Sequence, residues 1–415
     1  MTKPSSPPDG IDAAERIARQ AYGRLVAWLA YQWRDVAAAE DAMSDALVKA
    51  LERWPIEGVP DAPEAWLLTV AKRELLQTAR RQRLHDSPEV QALLDRDEKA
   101  APGFEIPDAR LKLMFVCAHP AIDASIRTPL MLQTVLGIEA KQLATCMLVS
   151  PTAMAQRLVR AKQKISDASL RFEEPEADDL PERLHAVLET VYAAYGLGWE
   201  AVDGGQAEIE DLREEALYLG ELLCSLLPNS AEARGLQALM LFCQARQSAR
   251  LDASGSMIAL QLQNTALWDH ALLDQAEALL VQALQLAQSG PFQIEAAIQS
   301  AHCQRRHTTQ VPWRGIAMLY GHLNSQWPTR GAQVAQAVAL ANCQELEAAA
   351  QMLAALDPDT MRNYQPYWVA MAHVHKLAGK PTDAQTHLLR ALGLTSAPSA
   401  KAFLMKQLYT AKDSQ

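Results

Sequence analysis

The sequence predicts an all-α fold. Apolar residues recur at helical spacing through most of its length, Leu, Ala and Gln dominate its composition, and Gly and Pro gather between the periodic stretches. Ala, Leu, Glu and Gln lose little side-chain freedom on entering a helix. A chain of 415 residues exceeds one ordinary core, so two or three domains are expected.

Residues 12–54 read as two helices. Ala14, Ile17, Ala18, Ala21, Leu25, Trp28 and Leu29 stripe the first; Ala39, Met43, Ala46, Leu47, Ala50 and Leu51 stripe the second. Pro55, Gly58, Pro60 and Pro63 predict a short stiff loop, after which 65–83 resumes as a helix with a basic second half. A first domain is therefore expected over 11–84, followed by a charged linker over 85–107.

A second domain is expected over 108–172. Leu111, Leu113, Met114, Phe115 and Val116 predict a helix ending near His119-Pro120, and 128–136 predicts another closed by Gly137. A short helix follows over 140–147. Ser150 is then set to cap a helix whose first position is Pro151, where a missing N–H costs nothing. Helix, tight turn and basic helix make a helix-turn-helix pattern.

Beyond Glu176 the chain predicts a long run of helices, with a third domain over 180–410. Ala370, Ala372, Ala378, Ala384 and Ala391, with Tyr367 and Gly379 at the bend, resemble a tetratricopeptide hairpin. A tetratricopeptide-like helical solenoid is expected, with a groove suited to a peptide or protein partner.

The charge is uneven. A net charge of -10 argues against a surface that coats nucleic acid, yet 72–83 and 153–171 each carry five basic residues against one acid. No run of 18 apolar residues occurs, and Met1 to Gly10 has no apolar core of a secretory signal. The six cysteines form no C-x-x-C pair and suit buried free thiols in a reducing compartment, so a cytoplasmic location without membrane contact is expected.

Two motifs carry a resemblance. The segment Asp35-Val-Ala-Ala-Ala-Glu-Asp-Ala-Met-Ser-Asp-Ala-Leu-Val-Lys-Ala-Leu51 resembles the polymerase-docking helix of the extracytoplasmic-function (ECF) group of bacterial RNA polymerase sigma factors. Ala65-Trp-Leu-Leu-Thr-Val-Ala-Lys-Arg73, with Arg80, Arg81 and Arg83, resembles that group's promoter-melting helix. Asp108-Ala-Arg-Leu-Lys-Leu-Met-Phe-Val-Cys-Ala-His-Pro120 and Thr152-Ala-Met-Ala-Gln-Arg-Leu-Val-Arg-Ala-Lys162 resemble the subgroup with a C-terminal tetratricopeptide-like domain. The resemblance implies sigma region 2 over 11–84 and region 4 over 108–172. It departs at Arg73-Glu-Leu-Leu-Gln77, where an Asn-Arg-Ala-x-Asp type segment is usual, and at Gln142, where an acid is common.

The resemblance implies core RNA polymerase and promoter DNA as partners, with Glu40, Asp41, Asp45, Leu47, Lys49 and Leu51 at the polymerase. Lys72, Arg73, Arg80, Arg81 and Arg83 suit phosphates, and the loop 55–63 suits capture of an unstacked base. Trp66 is either a stacking platform or a core residue. On the helix-turn-helix, Thr152, Ala153, Gln156 and Arg157 fall in the first turns, which enter a major groove, with Gln156 and Arg157 at base edges; Arg160 and Lys164 suit phosphate, and Lys162 lies on the same basic helix.

No catalytic group, metal or cofactor is expected. Cys117-x-His119 supplies two ligands where structural zinc takes four, and His302, Arg305, Arg306 and His307 read as a solvated turn rather than a nucleic-acid surface. Two rival readings remain: a helix-turn-helix regulator without sigma activity, and a helical-repeat scaffold. The first would bind duplex DNA without core polymerase; the second would bind no promoter.

Overall fold

The computed structural model describes residues 10–81, 108–147, 149–167, 180–200 and 207–412. Among them the fold is all-α, and the lone extended pairing is an isolated antiparallel bridge between Leu251 and Met257. The chain divides into two compact units, 1–194 and 195–415. No described helix is long and apolar enough to cross a membrane.

The first unit opens with α1 (Gly10–Trp33), α2 (Val36–Glu57) and α3 (Pro63–Arg81), which pack on one another. Leu29, Met43, Ala46, Trp54, Leu67 and Ala71 fill their shared core. Asp35 caps α2, its carboxylate accepting from the Ala38 N–H at 3.0 Å. The expected break at Pro55 is corrected: α2 runs through it to Glu57, and only 58–62 form the loop. Pro55 leaves the Leu51 carbonyl without its helical donor, but both residues are exposed, so water can satisfy it.

Four shorter helices follow: α4 (Ala109–Cys117), α5 (Ala124–Thr134), α6 (Ala140–Cys146) and α7 (Pro151–Asp167). Asp108, Asp123 and Ser150 cap α4, α5 and α7. The second of these begins at Ala124, earlier than its sequence pattern indicates, because the Asp123 cap outweighs Pro129 inside it. Gly137, at φ +72, turns the chain into α6 in the left-handed region open to glycine. The expected linker over 85–107 lies outside the described residues.

Buried Arg127 ties this part together. Its guanidinium donates to the carbonyls of Ile122 and Pro120 and to the Glu182 carboxylate at 2.8 Å on α8 (Leu180–Glu200). His119 Nδ1 accepts from the Ala121 N–H at 3.0 Å and closes the turn after α4.

These helices lie against the first three. Helix α1 packs on α4 and α5, and α2 packs on α7. The approach is close at Gly23, where an added Cβ would stand 1.9 Å from the Val135 carbonyl oxygen.

The second unit is a stack of helices. After α9 (Ala207–Leu226) come α10 (Ala231–Gln244), α11 (His270–Gln285), α12 (Pro291–Cys303) and a single turn, α13 (Arg305–Thr308). Then follow α14 (Trp313–Gln326), α15 (Arg330–Asn342), α16 (Leu346–Ala354), the turn α17 (Pro358–Met361), α18 (Gln365–Leu377), α19 (Pro381–Leu394) and α20 (Pro398–Lys412). Helices near in sequence pack on one another, and successive clusters around Ile316, Leu353 and Leu388 carry the core along the stack.

A 250–269 segment departs from this pattern. Arg305 donates to the carbonyls of Leu260 and Gln263, and the Met257 N–H reaches the Ser399 carbonyl at 3.3 Å. Arg306 pairs with Asp274 at 2.8 Å, and His302 is largely buried with its ring edge-on to Trp313. The expected solvated basic turn is therefore corrected to internal packing. Only His307 of that group is exposed.

Candidate functional site

Both halves of the expected site fall in the first unit. Helix α2 turns Val36, Ala39, Met43, Ala46, Ala50 and Trp54 inward. Its opposite face exposes Asp41, Asp45, Val48, Leu51 and Pro55, recurring every three or four residues, with Ile56 exposed beside the last. This stripe is acidic at its start and apolar at its end. Ile56, 85% exposed, leaves apolar surface in water.

Leu47 is half-buried, as its place on the apolar stripe leads one to expect. Two other expected polymerase residues are already engaged. Lys49 donates to Glu74 of α3. Glu40 turns away from the stripe and receives Lys162 Nζ on both carboxylate oxygens, at 2.7 and 2.6 Å. Burial raises the Glu40 carboxyl above the usual range despite the opposing pull of Lys162.

On α3, Arg73 is exposed. Lys72 lies over the Trp28 ring, 4.4 Å from its centroid, in a cation–π contact. Trp66 meets Trp54 edge-on at 5.5 Å and is half-buried, so the ring belongs partly to the core. Arg80 and Arg81 lie on the last turn of α3, where the description stops at the backbone, and Arg83 lies outside the described residues.

On α7, Met154, Leu158, Ala161 and Ile165 are buried, and Thr152, Gln156, Val159, Arg160, Gln163 and Lys164 face outward. The Ser150 hydroxyl accepts from the Ala153 N–H at 3.2 Å, fixing where the helix begins. Arg157 leans back to donate to the Ser125 hydroxyl at 2.6 Å. The outward stripe is polar and basic around one apolar residue, Val159, which is 66% exposed.

This surface combines the polar side chains of Thr152 and Gln156, the apolar Val159 and the cations Arg160 and Lys164. The expected set omits Val48, Ile56, Val159 and Gln163. Val48, Val159 and Gln163 were signalled by position, each lying three residues from an expected contact on the same helix face, whereas Ile56 was not.

Residues 18–85 match the family model described as sigma-70 region 2, which covers α2 and α3. Over that stretch the chain is similar to sigma-70 region 2. Residues 183–284 of the chain match a family of unknown function, DUF6596, over α8 and the start of the helical stack. It is 34% identical over 406 residues to the uncharacterized protein R00370 of Rhizobium meliloti (strain 1021), spanning 96% of this chain and 95% of that one. No solved structure matches it.

Among the described residues, no group of three or more His, Cys, Asp or Glu is arranged to hold a metal ion.

Proposed function

We propose that the chain is an ECF-type sigma factor that binds core RNA polymerase and directs promoter-specific initiation from the cytoplasm. Region 2 spans 11–84, 85–107 is a linker, region 4 spans 108–172, and 180–410 is a tetratricopeptide-like regulatory domain. One observation carries the reading. A sigma-70 region 2 shares a compact unit with a capped helix, α7, whose outward face is Thr152, Gln156, Val159, Arg160, Gln163 and Lys164.

In this reading α2 docks on polymerase through Asp41, Asp45 and Leu51, extended by Val48 and Ile56. The acids steer and set register, while the apolar end supplies burial. Thr152 and Gln156 read base edges, Val159 meets a thymine methyl, and Arg160 and Lys164 hold phosphate. Arg73, with Arg80, Arg81 and Arg83, tracks the strand near the loop 58–62, where an unpaired base is captured. The DUF6596 stretch and the helices behind it offer a surface for a peptide or protein partner that regulates initiation.

Transcription reconstituted with core polymerase on host genomic DNA is the test. Discrete start sites that depend on added protein are expected; their absence would remove sigma activity and leave a duplex-binding regulator or a scaffold. Removing two phosphate contacts with Arg160→Ala/Lys164→Ala should lower the salt slope of duplex binding by about two and weaken binding roughly tenfold at moderate salt. An unchanged slope would mean that α7 does not lie on the phosphate backbone.

A further inference from the structure

Glu40 and Lys162 lie on α2 and α7, two helices that the proposed function uses separately, yet here they neutralise each other across 122 residues of sequence. Their side chains are 20% and 11% exposed. The pair sits where α2 meets α7, within a larger contact. Gly23 of α1 lies under the Val135 carbonyl, and Lys112 Nζ stands 4.9 Å from the centroid of the Tyr31 ring. Cys117 is fully buried beside the pair, and both charges act on its thiol.

A lysine that gives its protons to a buried carboxylate cannot at the same time neutralise a phosphate. Removing its carboxylate would leave a largely enclosed ammonium without compensation. Nearby cations on α7 are outward, so DNA arriving at Arg160 and Lys164 brings phosphate close to the same helix.

We propose that the Glu40–Lys162 pair is a latch that holds the region 2 helices against the helix-turn-helix in the free protein and opens when DNA phosphate takes Lys162. This rests on the functional reading above, since it needs α7 to meet DNA. Opening frees Glu40 at the edge of the polymerase-facing stripe and lets the two reading surfaces move apart. DNA binding and release of Glu40 are thereby coupled through one ion pair.

Cys117 reports the state of the latch. Burial pushes its thiol up to about 12, so alkylation of the closed protein is slow, and separation of α2 from α7 brings the thiol into water. Cys303, buried in the second unit, is the internal control. In the full-length protein, pulsed N-ethylmaleimide labelling read by mass spectrometry should show Cys117 reacting at least tenfold faster in Glu40→Gln, with Cys303 unchanged. The charge swap Glu40→Lys/Lys162→Glu should restore slow labelling, and a short duplex DNA should accelerate it in the native protein.

Unchanged Cys117 labelling in Glu40→Gln would overturn the latch, as would a duplex that binds without accelerating it. If Glu40→Gln fails to fold, Cys303 reacts as well. The swapped pair then decides: fast labelling of its Cys117 alone overturns the proposal. Labelling needs no polymerase, so failure here is distinct from failure to find start sites.

Discussion

Gly23→Ala should destabilise the first unit by about 3 kcal/mol, the upper end of what overpacking costs. In an open helix the same change stabilises by up to about 1 kcal/mol, because alanine surrenders less backbone freedom than glycine. Space decides the sign. The new methyl would stand 1.9 Å from the Val135 carbonyl oxygen and 2.9 Å from its carbon, and a backbone neighbour cannot swing aside as a side-chain tip can. Gly196, inside α8 with nothing within 4 Å of an added Cβ, is the matched control. Denaturant unfolding of both variants should give opposite signs; a stable Gly23→Ala would mean that α1 and α5 do not approach so closely.

Acid should weaken the second unit through His302. Burial, with Arg246 and Arg305 nearby, lowers this imidazole from 6.5 to about 4, and its Nδ1 is buried without a hydrogen-bond partner. The unfolded chain binds a proton more readily than the folded one. The stabilisation is therefore complete above about pH 6.5 and is lost as pH falls towards 4. The shift corresponds to about 3 kcal/mol between those limits. Unfolding free energies measured at neutral pH and near pH 4 should show the loss in the native protein and a smaller loss in His302→Gln. Equal slopes would place the acid sensitivity elsewhere.

Much of this architecture was legible because local signals agreed with one another. Ser150-Pro151 announces α7 with a cap and a tolerated proline, and the inward face of α2 follows from spacing alone. A proline misled where tertiary context absorbed it: Pro55 lies inside α2, at a position that composition marks as a break. The 250–269 segment has no period to read, and its fixed course depends on Arg305 and Ser399, distant in sequence.

The candidate site was legible as helix faces but not as free charges. Residue type marks Lys49, Lys72, Arg157 and Lys162 as cations ready for a partner. The fold gives them Glu74, the Trp28 ring, Ser125 and Glu40 instead. Such pairings depend on which helices meet, a long-range fact that spacing within one helix does not contain. Arg73, Arg160 and Lys164 remain outward, so these carry the electrostatic argument.

The tie from Met257 to Ser399, joined by Lys406 near Asp252 at 3.9 Å, links the early part of the helical stack to its last helix. An open array whose members touch only neighbours can fray from one end while the rest stands. A stack fastened across its length loses that freedom: detaching α20 also releases the segment that Arg305 grips, and damage at the terminus travels back to the first helices. Stability becomes a shared property of the array, and a ligand that loosens the final helix would be felt at its beginning.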